Sequence, residues 1–365
     1  MGFNCGIVGL PNVGKSTIFN ALTQTQAAEA ANYPFCTIEP NTGMVNVPDQ
    51  RLKVLQSIVK TTRVIPTQIE IVDIAGLVKG ASKGEGKGND FLAAIKNVDA
   101  VLHVVRCFDD PDVVHVDGSV DPVRDIEIID LELMLKDQDT VASALDKTKK
   151  RAAHDKDCAA RVPVYEKCMR GFEALKPVRA LDLTEDEAKH IADLHLITAK
   201  AMLFVCNIAD TDIKAGGNRH SQAVTAHAAK VGATAIVISG KIEAELVALA
   251  ADERAAFMAD LGISEPGVDT LVKAGYDLLG LATYFTAGEI EVRAWQIQRG
   301  WKAPRGAGVI HTDFEKGFIR AEVASYADFV ANKGEKGCKE VGKLRSEGKD
   351  YVLQDGDVCH FLFNR

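Results

Sequence analysis

The run Gly9-Leu10-Pro11-Asn12-Val13-Gly14-Lys15-Ser16 satisfies GxxxxGK[ST]. It lies between an apolar run, Cys5 to Leu10, and a helical stretch, Thr17 to Thr23. Strand, glycine loop and helix in that order are the context in which this motif folds into a phosphate cradle. The glycines let main-chain N–H groups converge on phosphate oxygens at a helix N-terminus, where the helix dipole also favours negative charge. Lys15 adds a point charge for the β- and γ-phosphates, and the Ser16 hydroxyl is a ligand for Mg²⁺. Asn12, Val13, Gly14, Lys15, Ser16 and Thr17 form the expected phosphate-contacting set.

A phosphate loop of this kind belongs to a parallel sheet, and the rest of the first half supplies one. Continuously apolar runs recur at Ile69 to Ala75, Ala100 to Val105, Ala201 to Ile208 and Thr234 to Ser239, separated by helical segments. That alternation predicts an α/β domain, mostly parallel, with helices on both faces. Between about Asp125 and Lys200 it stops. There Ile128, Leu131, Leu135, Val141 and Leu145 recur at helical spacing, and the Lys/Arg-rich segment Lys147 to Arg170 carries no strand pattern, so a helical hairpin is expected. Its basic stretch is either a solvated helix face or a contact for an acidic partner such as ribosomal RNA. Beyond about Leu281, strand-like runs at Glu291 to Gln298, Gly308 to Thr312, Phe318 to Ala324 and Tyr351 to Phe363 predict a small mixed domain, with a turn at Asp355-Gly356. The expected division is therefore 1–127 with 198–280, an insertion at 128–197, and 281–365.

Two further segments complete a nucleotide switch. In Pro34-Phe35-Cys36-Thr37-Ile38-Glu39-Pro40-Asn41 the threonine, Thr37, is a second Mg²⁺ ligand when a γ-phosphate is present. Asp73-Ile74-Ala75-Gly76 ends an apolar strand, where Asp73 reaches Mg²⁺ through water and the Gly76 amide touches the γ-phosphate. The glycine-rich run KGASKGEGKGN from Lys79 to Asn89 resists a fixed conformation without a ligand, as an order-to-disorder switch requires; an ordinary loop is the plainer alternative. The residue after the DxxG motif is Leu77, where Ras-like enzymes carry a water-orienting glutamine, so water must be prepared elsewhere or turnover is slow. On the base side, Asn207-Ile208-Ala209-Asp210 stands where guanine-specific enzymes have NKxD, and Ser239-Gly240-Lys241 follows the next strand as the last base-side loop, where backbone groups could contact the base edge. Asn207, Ile208, Asp210, Ser239 and Gly240 are the candidate base contacts. Asn12 is a candidate for holding a monovalent cation, K⁺, beside the phosphates.

A net charge of −8 argues against a general nucleic-acid coat, and DNA is not an expected partner. Eight cysteines without CxxC or zinc spacing indicate neither disulfides nor structural zinc. The immediate start of the first strand leaves no room for a signal peptide, and no apolar run is long enough to span a membrane, so a cytoplasmic protein is expected.

Four long runs, PFCTIEPN, DIAGLVKGASKGEGKGN, VDGSVDPVRDIEIID and IHTDFEKGFIRAE, resemble the YchF (Obg-like ATPase) family and are spread over all three proposed domains. The resemblance implies an OBG-type P-loop G domain, a coiled-coil insertion and a C-terminal TGS (β-grasp) domain. It also implies a ribosome-associated ATPase, binding the large subunit or the whole ribosome, with rRNA or tRNA in a cleft between coiled coil and TGS domain. By the same resemblance His115, in Asp112-Val113-Val114-His115-Val116, takes over water activation beside Lys15 and Gly76. The family pattern at the base is NxxE, whereas this chain has Asp210, a partial return toward the guanine-reading form. ATP is preferred on the resemblance. The alternatives are an Obg-type GTPase, or a nucleotide-gated ribosome- or RNA-binding protein with incidental hydrolysis.

Overall fold

The computed structural model describes residues 3–30, 42–74, 94–111 and 118–364. Its strands are β1 Asn4–Val8, β2 Thr42–Asn46, β3 Val64–Ile65, β4 Gln68–Asp73, β5 Ala100–Arg106, β6 Ala201–Asn207, β7 Thr234–Ile238, β8 Leu281–Ala287, β9 Val292–Gln298, β10 Phe318–Ser325, β11 Arg345–Glu347 and β12 Asp357–Phe363. The chain divides into two compact units, residues 1–44 with 70–271 and residues 45–69 with 272–365. Among the described residues no helix is long and apolar enough to cross a membrane.

The first unit is built on a sheet of order β2-β4-β1-β5-β6-β7, parallel from β4 through β7. Its central strands are buried along nearly their whole length, which is why they read as unbroken apolar runs. The registers Ile7↔Asp73 and Arg106↔Asn207 bring the ends of β1, β4, β5 and β6 to one edge, where ligands bind in open α/β sheets.

One strand carries a buried imidazole. His103 on β5 is 1 % exposed and leans on the Phe204 ring, with centroids 5.6 Å apart. Burial, reinforced by the nearby Arg179 and His227, pushes its pKa down to about 3. His103 is therefore neutral in the folded chain and protonates readily only when unfolded. Its contribution to stability is complete above its ordinary pKa of about 6.5 and is lost as pH falls from there toward 3. Equilibrium urea unfolding of His103→Gln across that window is expected to show a shallower loss, by up to about 1.4 kcal/mol per pH unit. Equal slopes for variant and parent would refute the assignment.

After β5 come two long helices, Pro122–Arg151, whose N-cap Asp121 accepts from Arg124 N–H, and Lys156–Glu173, capped by Asp155. Met134, Val141, Tyr165, Cys168 and Phe172 share one core. Asp137, with no exposed surface, ties the first helix to the return segment by accepting Ile197 N–H at 2.9 Å, Thr198 N–H at 2.7 Å and Thr198 Oγ1–H at 2.7 Å. Leu131 and Leu135, two of the residues at helical spacing, are 42 % and 39 % exposed, whereas Ile126, Ile129 and Leu133 on the same helix are buried. The basic residues at the helix end have acidic neighbours, Lys149 with Glu166 at 2.8 Å, Lys150 with Asp146 at 2.7 Å and Arg151 with Asp155 at 3.4 Å. Locally balanced charge of this kind favours the solvated-face reading.

The second unit has sheet order β11-β10-β12-β8-β9-β3, antiparallel except for β12 with β8 and β3 with β9. Helices Ala303–Ile310 and Thr312–Lys316 close over a core with Tyr284, Trp295 and Phe361, while helix Arg51–Val59 contributes Leu52 and Leu55 to a second core with Phe285 and Phe329. Two expectations are corrected. Residues 45–69, assigned by sequence to the nucleotide domain, pack in this unit. Gly308 to Thr312, read as a strand, instead spans the end of one helix, a break at His311 and the start of the next, because Pro304 starts a helix whose small residues Ala303, Gly306 and Ala307 fit against the core. Arg51 locks its segment into the unit: it bonds Asp49 through Nε and Nη2 and Asp355 through Nη1 at 2.7 Å, with its guanidinium over the Phe285 ring.

Candidate nucleotide site

The loop after β1 turns through two left-handed residues, Asn12 (φ 63°) and Gly14 (φ 88°), and enters the helix Lys15–Ala30, where Ile18 N–H bonds Gly14 C=O. Asn12 is short enough to adopt that conformation. At Gly14 a side chain is excluded twice over, by φ and because a Cβ would lie 2.2 Å from Asn207 Nδ2. Ser16 and Thr17 are exposed at the helix start, and Val13 is buried.

Lys15 Nζ is ion-paired with the Asp73 carboxylate at the end of β4, and both side chains are largely buried. The adjacency follows from the sheet, since Asp73 stands beside Ile7 in register. Two motifs whose charged residues are 58 apart in sequence thus meet, a cation beside a carboxylate at the end of β4. For Mg²⁺ the donor set is apt: the Ser16 hydroxyl and the Asp73 carboxylate are hard oxygen ligands of the kind this ion takes. They would hold it against the β- and γ-phosphates, where it neutralises charge on the transferred group.

Asn207, a candidate base contact by sequence, stands at the end of β6. It is 5 % exposed, and its amide bonds backbone at both ends, one Nδ2–H donating to Val13 C=O at 2.8 Å and Oδ1 accepting Gly240 N–H at 2.9 Å. It braces the phosphate loop against the loop after β7. The Gly240 amide, offered by sequence as a base-edge contact, is thereby occupied. Ile208 is buried with its N–H on Ile238 C=O, and Ser239 is buried completely with no partner for Oγ among the described residues. The helix Gly240–Ala248 is fixed in turn by Glu243, which accepts Gly267 N–H at 2.8 Å and Val268 N–H at 3.2 Å.

Asp210 is partly exposed at the start of a 3₁₀ turn. Its Oδ2 meets Lys241 Nζ and its Oδ1 accepts Thr211 N–H at 3.0 Å. The hydrogen bond from Lys241 holds the Asp210 carboxyl below its usual range. The sequence places Lys241 in the base-side loop but not among the candidate base contacts, which end at Gly240. Thr37, Gly76, Leu77 and His115 lie outside the described residues.

Comparison with known proteins places this geometry. Residues 4–155 match a family profile described as a 50S ribosome-binding GTPase. Residues 281–364 match the YchF-GTPase_C profile, described as a protein of unknown function. Over its full length and theirs, the chain is 52 % identical to the proteins called ribosome-binding ATPase YchF of Bacillus subtilis and Escherichia coli O157:H7. The chain belongs to the YchF family. Its fold is that of a solved YchF, the Schizosaccharomyces pombe structure titled YchF GTPase, at 38 % identity and a TM-score of 0.90, covering 99 % of this chain and 98 % of that one. A GTP-binding protein from Pyrococcus horikoshii shares the fold at 20 % identity and a TM-score of 0.61, with 99 % and 100 % covered. As a YchF protein the chain is a P-loop nucleoside triphosphatase.

Proposed function

We propose that this YchF protein hydrolyses ATP in preference to GTP, requires Mg²⁺ on Ser16, Asp73 and Thr37, and uses the cycle to control association with the ribosome. The observation that carries the base preference is the engaged state of Asp210. Reading guanine takes a carboxylate free to accept from N1–H and N2–H together, and here Lys241 and the Thr211 amide address both oxygens. Adenine has no donor at those positions and leaves the pair intact. The lysine that stacks on guanine in NKxD is Ile208, which is buried. Ribosome association rests on the names of the 52 % identical relatives. The same likeness supports a coiled-coil insertion, a TGS-type second unit, rRNA or tRNA as the contacted RNA, and a cytoplasmic location. It also supports His115 and the Gly76 amide in preparing the attack that Leu77 cannot assist, with K⁺ beside Asn12.

The test is the affinity for ATP and GTP side by side with Mg²⁺, in the parent and in Lys241→Ala. ATP is expected to bind more tightly to the parent. Releasing Asp210 is expected to move the ATP:GTP ratio toward GTP by roughly tenfold, the worth of one charge-assisted hydrogen bond. A parent that prefers GTP, with a ratio indifferent to Lys241, would overturn the reading.

A further inference from the structure

The second unit gathers three metal-ligating side chains at one point. Glu322 on β10 and His360 on β12 are cross-strand partners in the antiparallel register, so both project from the same face of the sheet. Glu335 opens the helix Glu335–Glu340 and brings Oε2 to 4.0 Å from His360 Nδ1. One ligand atom from each of the three lies within 4.8 Å of the other two. All three also line a cavity of about 660 Å³ whose other walls include Trp295, Phe314 and Phe329.

We propose that Glu322, Glu335 and His360 form a site for a divalent transition-metal ion, Zn²⁺ being the best fit. One imidazole and two carboxylates are a ligand set that this ion accepts, and a hard ion such as Mg²⁺ would not favour the imidazole. Ligands at about 2.0–2.2 Å from a tetrahedral ion stand roughly 3.5 Å apart, so the present spacing must close by about 1 Å. Glu335 and His360 are 47 % and 62 % exposed and can rotate to do it. Glu322 is held more firmly, 26 % exposed with Arg320 Nη2 at 3.4 Å from Oε1, and its other oxygen remains to bind the ion. Three protein ligands leave a fourth position open to water or to a group entering the cavity.

The test is calorimetric titration of the full chain with Zn²⁺ alone, in excess Mg²⁺ and ADP so that the nucleotide site is filled. One saturable Zn²⁺ per chain is expected, weakened at least about tenfold in His360→Ala and in Glu335→Gln. It should be unchanged in Asp73→Asn, which touches only the phosphate site. Because His360 is exposed, its variant retains the fold, and circular dichroism checks that it does. Co²⁺ offered in place of Zn²⁺ should give visible absorption bands in the parent that vanish in His360→Ala and fade in Glu322→Gln. Absence of a saturable site, or a site that survives His360→Ala, overturns the assignment.

Discussion

Asn207→Ala is expected to weaken binding of ATP and GTP alike by roughly a hundredfold and to destabilise the first unit by about 2–4 kcal/mol. The side chain is buried, and its removal orphans the Val13 carbonyl and the Gly240 amide together. Each buried group left without a partner costs about 1–3 kcal/mol. The effect on binding is separate in origin. Val13 C=O is the anchor that fixes how the chain turns into Gly14, and Gly14 is already in a left-handed conformation with no slack for a shifted partner. Without the anchor, the amides that must converge on phosphate lose their common direction. Because the brace precedes any contact with the base, the loss is the same for both nucleotides, which separates it from Lys241→Ala, where only the ratio moves. Fluorescent-nucleotide titration and thermal denaturation measure the two effects. Parental affinity in Asn207→Ala would show that the phosphate loop holds its shape unaided.

Much of this site was legible in sequence because its determinants are local. GLPNVGKS specifies its own turn chemistry, and the apolar runs of β1, β5 and β6 declare a sheet covered on both faces. What escaped depends on partners far away in the chain. The assignment of residues 45–69 to the second unit rests on Arg51 meeting Asp355 across 304 residues and on Leu52 and Leu55 packing with Phe285. Nothing within the segment announces either. Gly308 to Thr312 misled for a different reason: glycine among apolar residues imitates alternation, while the helical state is decided by the close fit of Gly306 against Leu353, where a Cβ would come within 2.1 Å. Leu131 and Leu135 lie on a real helix but on its outer face, a rotation that periodicity leaves open when apolar residues occupy more than one stripe. At the base, the motif Asn207 to Asp210 was readable as a motif, yet its chemistry was not. The bracing role of Asn207 and the engagement of Asp210 by Lys241 are properties of two loops brought together by the sheet.

The ion pair between Lys15 and Asp73 makes the second large prediction, because the proposed function asks the two residues to part. On the proposed function Lys15 meets phosphate and Asp73 holds Mg²⁺, and in this structure the two side chains are paired with each other. Asp73→Asn removes the competitor for Lys15 while keeping the shape of the side chain. Its expected effects have opposite signs. Binding of ATP in the absence of Mg²⁺ should tighten by roughly tenfold, since the lysine no longer leaves a carboxylate to reach phosphate and an anion no longer approaches one. Hydrolysis with Mg²⁺ should fall by roughly a hundredfold or more, because the carboxylate oxygen that would hold the ion is gone. Lys15→Met separates the two contributions: it should lose affinity with and without Mg²⁺, since the charge that meets the phosphates is removed in both conditions. Equilibrium binding in EDTA and in Mg²⁺, with single-turnover hydrolysis, reads all of these. If Asp73→Asn leaves Mg²⁺-free affinity unchanged, the pair does not compete with phosphate, and Lys15 must already be free to bind when the nucleotide arrives.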